Sequence, residues 1–391
     1  MQLYTRYFAW LKKEKLLPIL AVVLVFRILL TGVGIYSSTS LGSFDNNWAL
    51  RRPASQKLGA GDLYKVWVRW DGNWYEKIAR DGYRTHGRPY TDNANKDIAF
   101  FPAYPYLSRA ASLGLFPAPI AGLAISTVST VAIVSLLYYF LRARGFAAGV
   151  SRLTVWLLFA YPMAFILGAF YTEPLFLALA LSIFVLWPKQ KYLLVFWIGV
   201  LAGLTRPVGL LLCIPGLVSM LEAKFWRNSV HKWLPQGLSL SGPILGFGLY
   251  CYISKLHTGT LLAFREVEKF GWDRSGNGLG SIAQNLFVVP FRGPNWMIFG
   301  VCAWISIVLV TLKRKEIGRG LSIWTYASIS LPLSTILIGM PRYIVTLFPV
   351  FLAGALVVSK KPRLIKPLVA GLFVLQIAAF ALWVMNAQFM Q

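Results

Sequence analysis

With 391 residues, 57% of them hydrophobic and only 14% charged, and a mean hydropathy of +0.59, the chain falls outside the range of ordinary soluble domains. Its formal charge of +25 is spread in short clusters between apolar runs rather than along a stripe, which argues for orientation in a membrane and against a nucleic-acid surface. Cys213, Cys251 and Cys302 sit in apolar segments without metal-ligand spacing, and His86, His231 and His257 are scattered over separate loops, so neither a metal nor another cofactor is expected.

Taken in chain order, the apolar runs predict an all-α polytopic membrane protein of about eleven transmembrane helices, since roughly 20 residues cross the hydrocarbon core. They fall near 16–36, 117–140, 151–169, 172–187, 192–205, 207–222, 236–256, 294–312, 320–338, 342–358 and 364–387. Boundaries between 172 and 222 are the least defined. The run from Leu16 to Tyr36 is longer than a signal-peptide core and no A-x-A-like site follows it, so it reads as a retained first span. Neither an internal repeat nor a low-complexity linker divides the chain, and 1–391 is expected to be one membrane domain.

Lys12, Lys13 and Lys15 precede the first span, and the later clusters around Arg142/Arg144, Lys189/Lys191, Lys224/Arg227/Lys232, Lys313–Arg319 and Lys360–Lys366 fall on the same side. By the positive-inside rule that side, with the N-terminus, is cytoplasmic. Of the 14 acidic residues only Glu14, Glu222 and Glu316 share it. Of the other eleven, all but Glu173 gather in two extracytoplasmic loops, 37–116 (Asp45, Asp62, Asp71, Glu76, Asp81, Asp92, Asp97) and 257–293 (Glu266, Glu268, Asp273). Long loops hold soluble residues in any case; the sharper reading is a polar site on the outer face, roofed by these two loops.

Within the first loop, "RWDGNWYEKIARDGY" spans residues 69–83. On a helix of residues 63–80 at about 100° per residue, Trp67, Trp70, Trp74, Tyr75 and Ile78 share one face, and Lys65, Arg69, Glu76 and Arg80 the other, as in an interfacial helix. Gly82 is its expected stop. Asp71 falls about 40° from Trp67, on the aromatic face, where an unpartnered carboxylate is costly and where general bases are tuned. If the helix begins at Asp71 instead, that residue is a cap and the projection lapses. Glu76 and Asp81 read as solvated.

Arg27 and Arg206 lie at depths where an arginine costs about 2.5 kcal/mol or more, and such residues normally have partners. Glu173 and Arg342 are expected near the outer ends of spans. Together the arginines suit a phosphate bound by charge-assisted hydrogen bonds; a structural Arg–Glu pair is the alternative. Prolines gather beside them in "AYPMAF", "YTEPL", "TRPVG" and "MPRYI", favouring irregular backbone along a cavity.

The ordered motifs "RWDGNWYEKIARDGY", "IAFFPAYPYL", "YPMAFILGAFYTEPLF", "LAGLTRPVGL" and "PRYIVTLFPVF", over residues 66–355, resemble the PIG-V family of mannosyltransferases and its prokaryotic relatives, of the GT-C class. The resemblance implies a GT-C-like bundle that moves a sugar, mannose in this family, from a polyprenyl-phosphate donor to a hydroxyl of a lipid or glycan acceptor on the extracytoplasmic face. It implies Asp71 as general base beside Trp70, with Arg206, Glu173 and Arg342 in the other motifs and no metal required. On this reading Arg342 and Arg206 bind the donor phosphate, and Trp70, Trp74, Tyr75 and Glu173 bind substrate, with Trp67 lining the same loop. The lack of an N-x-[ST] sequon leans toward a prokaryotic plasma membrane over the endoplasmic reticulum. Two rivals remain, a transporter or flippase of lipid-linked sugar, with charges near the midplane and related halves, and a non-catalytic scaffold in which Asp71 is dispensable.

Overall fold

The computed structural model describes residues 2–41, 43–44, 51–52, 60–84, 96–227, 229–271, 274, 276 and 278–386. Asp45, His86, Asp92, Asp273 and the side chain of Asp62, named above, lie outside the described residues. Each of the eleven apolar runs is occupied by helix. Among the described residues four helical segments, Leu17–Leu41, Ala118–Ala143, Pro294–Leu312 and Pro362–Val384, are long and apolar enough to cross a membrane. Shorter apolar helices pack among them, including Ala148–Ala160, Glu173–Leu186, Tyr192–Gly203 and Phe348–Val358. Among the described residues the strands are a two-residue antiparallel pair, Ser43–Phe44 with Arg51–Arg52.

Proline sets many of the starts. Pro18, Pro119, Pro174, Pro207, Pro243 and Pro341 all occupy the first or second position of a helix, where the missing N–H costs nothing. Between Ala160 and Glu173 the chain leaves the α-helix for a 3₁₀ turn at Ala164–Gly168, inside the bundle. Its carbonyls are met by side chains of Ala118–Ala143: Thr130 Oγ1 donates to Leu167 O at 3.0 Å, and Ser126 Oγ donates to Ala169 O at 2.9 Å. Ser126 and Thr130 are four residues apart and so share a face. Arg27 donates to Gly168 O at 2.6 Å and to the Thr127 hydroxyl, and its guanidinium lies 5.2 Å from the Trp67 ring. The deep arginine therefore has partners as expected, but they are a carbonyl, a hydroxyl and a ring.

Glycines let two helices touch by their backbones. A Cβ on Gly203 or Gly246 would run into the carbonyl oxygens of Pro243 and Val200 respectively, and one on Gly199 would lie 2.5 Å from Pro243 Cδ. Gly199/Gly203 and Gly242/Gly246 are thus facing small-x-x-x-small pairs, the pattern by which membrane helices approach closely. This contact fixes Tyr192–Gly203, whose end leads into Thr205 and Arg206.

The predicted loop 37–116 contains a 3₁₀ helix at Ala60–Trp67, an α-helix at Asp71–Asp81, a 3₁₀ turn at Asp97–Ala99 and an α-helix at Ala103–Ser112. Together with Ala263–Gly271 from the later loop they form an aromatic layer of Tyr75, Tyr83, Phe100, Tyr104 and Phe170 over the end of the bundle. Lys96 Nζ, donating to Gly271 O at 2.6 Å, ties the two loops.

Gly246→Val is expected to destabilise by about 1–3 kcal/mol or more by overpacking against backbone, whereas Gly248→Ala, with no atom within 4 Å of the added carbon, stays within about 0.5 kcal/mol. Thermal unfolding of the two variants in detergent distinguishes them.

Candidate active site

Residues 63–80 are not one helix. The 3₁₀ segment ends at Trp67, and Trp70 takes φ 52° and ψ −116°, after which Asp71 opens the helix Asp71–Asp81. The projection that placed Asp71 among the tryptophans therefore lapses, as it must when the helix begins at Asp71. A tryptophan at positive φ costs about 1–3 kcal/mol and persists only when its surroundings hold it. Here Tyr171 Oη donates to Arg69 O at 3.1 Å, Phe170 N donates to Trp67 O at 3.1 Å, and Trp70 Nε1 donates to Trp383 O at 3.3 Å. Gly82, at φ 76°, ends the helix with its N–H on Ile78 O at 2.8 Å, as expected.

Four chain breaks converge at this point. Asp71 and Glu173 each begin a helix, where the dipole and free N–H groups favour a carboxylate. Arg206 caps Pro207–Leu212, and Arg342 lies in the short helix Met340–Ile344. Arg342 Nη1 is 2.6 Å from Asp71 Oδ2, and Arg342 Nε is 3.0 Å from Glu173 Oε1. Arg206 Nη1 pairs with the same Glu173 oxygen and donates to Thr172 Oγ1 at 3.3 Å. The contacts of Arg342 Nε and Glu173 Oε1 are charge contacts without hydrogen-bond alignment. Side-chain exposure falls from 29% at Asp71 to 10% at Arg342 and 0% at Glu173. The chain of charges runs inward, and Asp71 is its open end.

The rings around it were not apparent from sequence. The Arg342 guanidinium lies 5.2 Å from the Tyr171 ring and 5.3 Å from Tyr343, and Arg206 lies 5.6 Å from Tyr343. Tyr343 Oη accepts from Arg274 Nη1 at 3.3 Å, and Arg274 is 4.0 Å from Glu268. Burial pushes the Glu268 carboxyl up, against the pull of Arg274 and Arg265. Tyr171, Thr172 and Tyr343 adjoin the charged residues in "FYTEP" and "PRY", which is the signal that could have found them; a single loop arginine such as Arg274 carried none.

Several expected positions change. Glu173, expected to contact substrate, is fully buried and paired with both arginines. Tyr75 is buried, edge-on to Phe100, Tyr104 and Tyr171 at 5.3, 6.0 and 6.3 Å, and burial raises its hydroxyl well above the usual range. Trp67 is 4% exposed and packs on Phe380 at 4.6 Å. Neither ring is free to stack on a ligand. Trp74 is half-buried, stacked on Phe100 at 5.8 Å. Arg69, expected on the wet face, is half-buried, and its Nε is buried without an aligned acceptor. Asp81 is held by Arg80 and Arg84 at 3.0 and 2.9 Å, and the Arg80 hydrogen bond draws its carboxyl down. Asp97 is buried and accepts from Arg84 N at 2.6 Å, a structural role.

No family model matches the chain, and no curated protein matches it. Among solved structures it is similar to a crystal structure of the Archaeoglobus fulgidus oligosaccharyltransferase tethered to an acceptor peptide with the NVT sequon. The TM-score is 0.46 at 14% identity, covering 98% of this chain and 56% of that one. A second crystal structure of that enzyme, in complex with Zn and sulfate, gives a TM-score of 0.43 at 17% identity, covering 91% and 53%. The chain thus spans about half the length of the protein it matches.

Removing one member of the inner pairs strands a buried charge, so Arg206→Met and Arg342→Met are each expected to destabilise by about 3–5 kcal/mol. Asp71→Asn, at the open end, is expected to cost no more than about 1 kcal/mol. Chemical denaturation of the three variants in one detergent checks the gradient.

Proposed function

We propose that the protein is a GT-C-type membrane glycosyltransferase that transfers a sugar, mannose above others, from a polyprenyl-phosphate donor to a hydroxyl of a lipid or glycan acceptor. The reaction takes place on the extracytoplasmic face of a prokaryotic plasma membrane. The observation that carries the reading is a partly exposed carboxylate, Asp71, set 2.6 Å from a buried arginine at the end of an apolar helical bundle. The resemblance of the five ordered motifs to PIG-V enzymes supplies the sugar and the donor class.

In the proposed reaction the acceptor oxygen attacks the anomeric carbon as Asp71 takes the hydroxyl proton. The bond from that carbon to the phosphate oxygen breaks with inversion, and the polyprenyl phosphate leaves with the electron pair. Arg342 commits Nη1 and Nε to Asp71 and Glu173, leaving Nη2 for the phosphate; Arg206 commits Nη1. Donors aimed at charge that develops in the transition state are worth about 10²–10³-fold each. Trp70 and Trp74 flank Asp71 in sequence and retain partial exposure, so they are the rings left to meet the sugar. The apolar bundle accommodates the prenyl chain.

The test is transfer by purified protein in lipid, with radiolabelled polyprenyl-phosphate mannose and a panel of acceptors. Asp71→Asn is expected to lower kcat by about 10²–10⁴-fold while thermal stability stays near wild type. Full-rate transfer by Asp71→Asn removes the base assignment, and movement of the donor across the bilayer without transfer favours a flippase.

A further inference from the structure

At the other end of the Glu173–Leu186 helix, 14 residues or roughly 21 Å from Glu173, lies a cavity of about 260 Å³. This is a little below the roughly 300–1,000 Å³ of clefts that enclose a whole small ligand, room for a headgroup and part of a chain. Its walls are apolar, with Phe140, Ile183, Phe184 and Leu240, and its rim is polar. Arg144 donates through Nη2 to Ile317 O at 2.8 Å and, among the described residues, pairs with no carboxylate. Arg319, 81% exposed, is loosely paired with Glu222 at 3.5 Å. The Trp187 ring also lines the cavity. Arg319, Gly320 and Leu321 also line the cavity and form the first turn of the 15-residue helix Arg319–Leu333, whose leading amides have no intrahelical acceptor. Gly318 permits the arrangement: its φ is 92°, and a Cβ there would lie 2.9 Å from Arg144 Nη2.

A donor-rich rim over an apolar pocket matches a molecule with a phosphate at one end and hydrocarbon at the other. We infer that this cavity binds the phosphate headgroup and part of one acyl chain of an anionic phospholipid from the adjacent leaflet. Arg144 and the first amides of Arg319–Leu333 donate to the phosphate; Phe140, Phe184 and Leu240 contact the chain. Glu222, the acidic member of the rim, disfavours a free anion held far out toward Arg319 and leaves Arg144 as the inner charge. This site is independent of the proposed transfer chemistry.

The test is thermal unfolding of the full chain in detergent, titrated with phosphatidylglycerol, phosphatidylcholine or inorganic phosphate. Phosphatidylglycerol is expected to raise the Tm of wild type most, and Arg144→Gln to weaken that response about tenfold, as loss of a charged hydrogen bond implies. Val218→Trp, which fills the cavity without removing a charge, is expected to fold and to lose the phosphatidylglycerol response even if Arg144→Gln does not fold. Equal shifts from both lipids, the same shift from inorganic phosphate alone, or a wild-type response in Val218→Trp each overturn the assignment.

Discussion

The contact between Asp71 and Arg342 depends on what lies beneath it. An arginine this deeply buried needs a countercharge, and Glu173 supplies it from the inside while Asp71 supplies it from the open side. Glu173 in turn needs two cations, because one partner is shared with Asp71; Arg206 is the second. Burying an ion pair returns little net stability, and breaking it costs far more than forming it gained. A chain of alternating charges in an apolar bundle is therefore weak as a source of stability and strong as a constraint on geometry. Two of the backbone irregularities nearby, the Ala164–Gly168 turn and the positive-φ Trp70, are held by side-chain hydrogen bonds from Ser126, Thr130 and Tyr171.

Much of the bundle was legible because hydropathy alone marks a membrane helix. All eleven apolar runs are helical, including those between 172 and 222, where the break at Thr205–Arg206 separates two short helices. Prolines beside Glu173, Arg206 and Arg342 pointed to interrupted backbone, and that is where the chain turns. The first loop was harder to read. Residues 63–80 have one helical periodicity over a segment that contains two helices, since nothing in "VRWDG" announces a positive φ at a tryptophan. The same error placed Tyr75 and Trp67 at a ligand surface, when aromatic periodicity in a half-buried helix more often means packing.

The charged residues were identifiable by cost. A glutamate and two arginines in apolar surroundings must have partners, but sequence leaves open whether these are substrate or one another. The structure pairs Glu173 with both arginines. Such pairing is not distinguishable from ligand binding in sequence, because the cost of burial is the same in both cases. Tyr343 and Arg274 extend the network toward Glu268 of the second loop, adding to the tyrosine hydroxyls of Tyr171 and Tyr250 that join the roof to the bundle.

Asp71, Arg342, Glu173 and Arg206 form a unit, although among the described residues Asp71 and Glu173 are joined only through Arg342. A double-mutant cycle on the transfer rate, using Asp71→Asn, Glu173→Gln and the pair, measures that directly. If Glu173 acts by holding Arg342 against Asp71, the paired variant is no slower than Asp71→Asn alone. Losses that multiply would mean that the two carboxylates work independently, and would contradict the account.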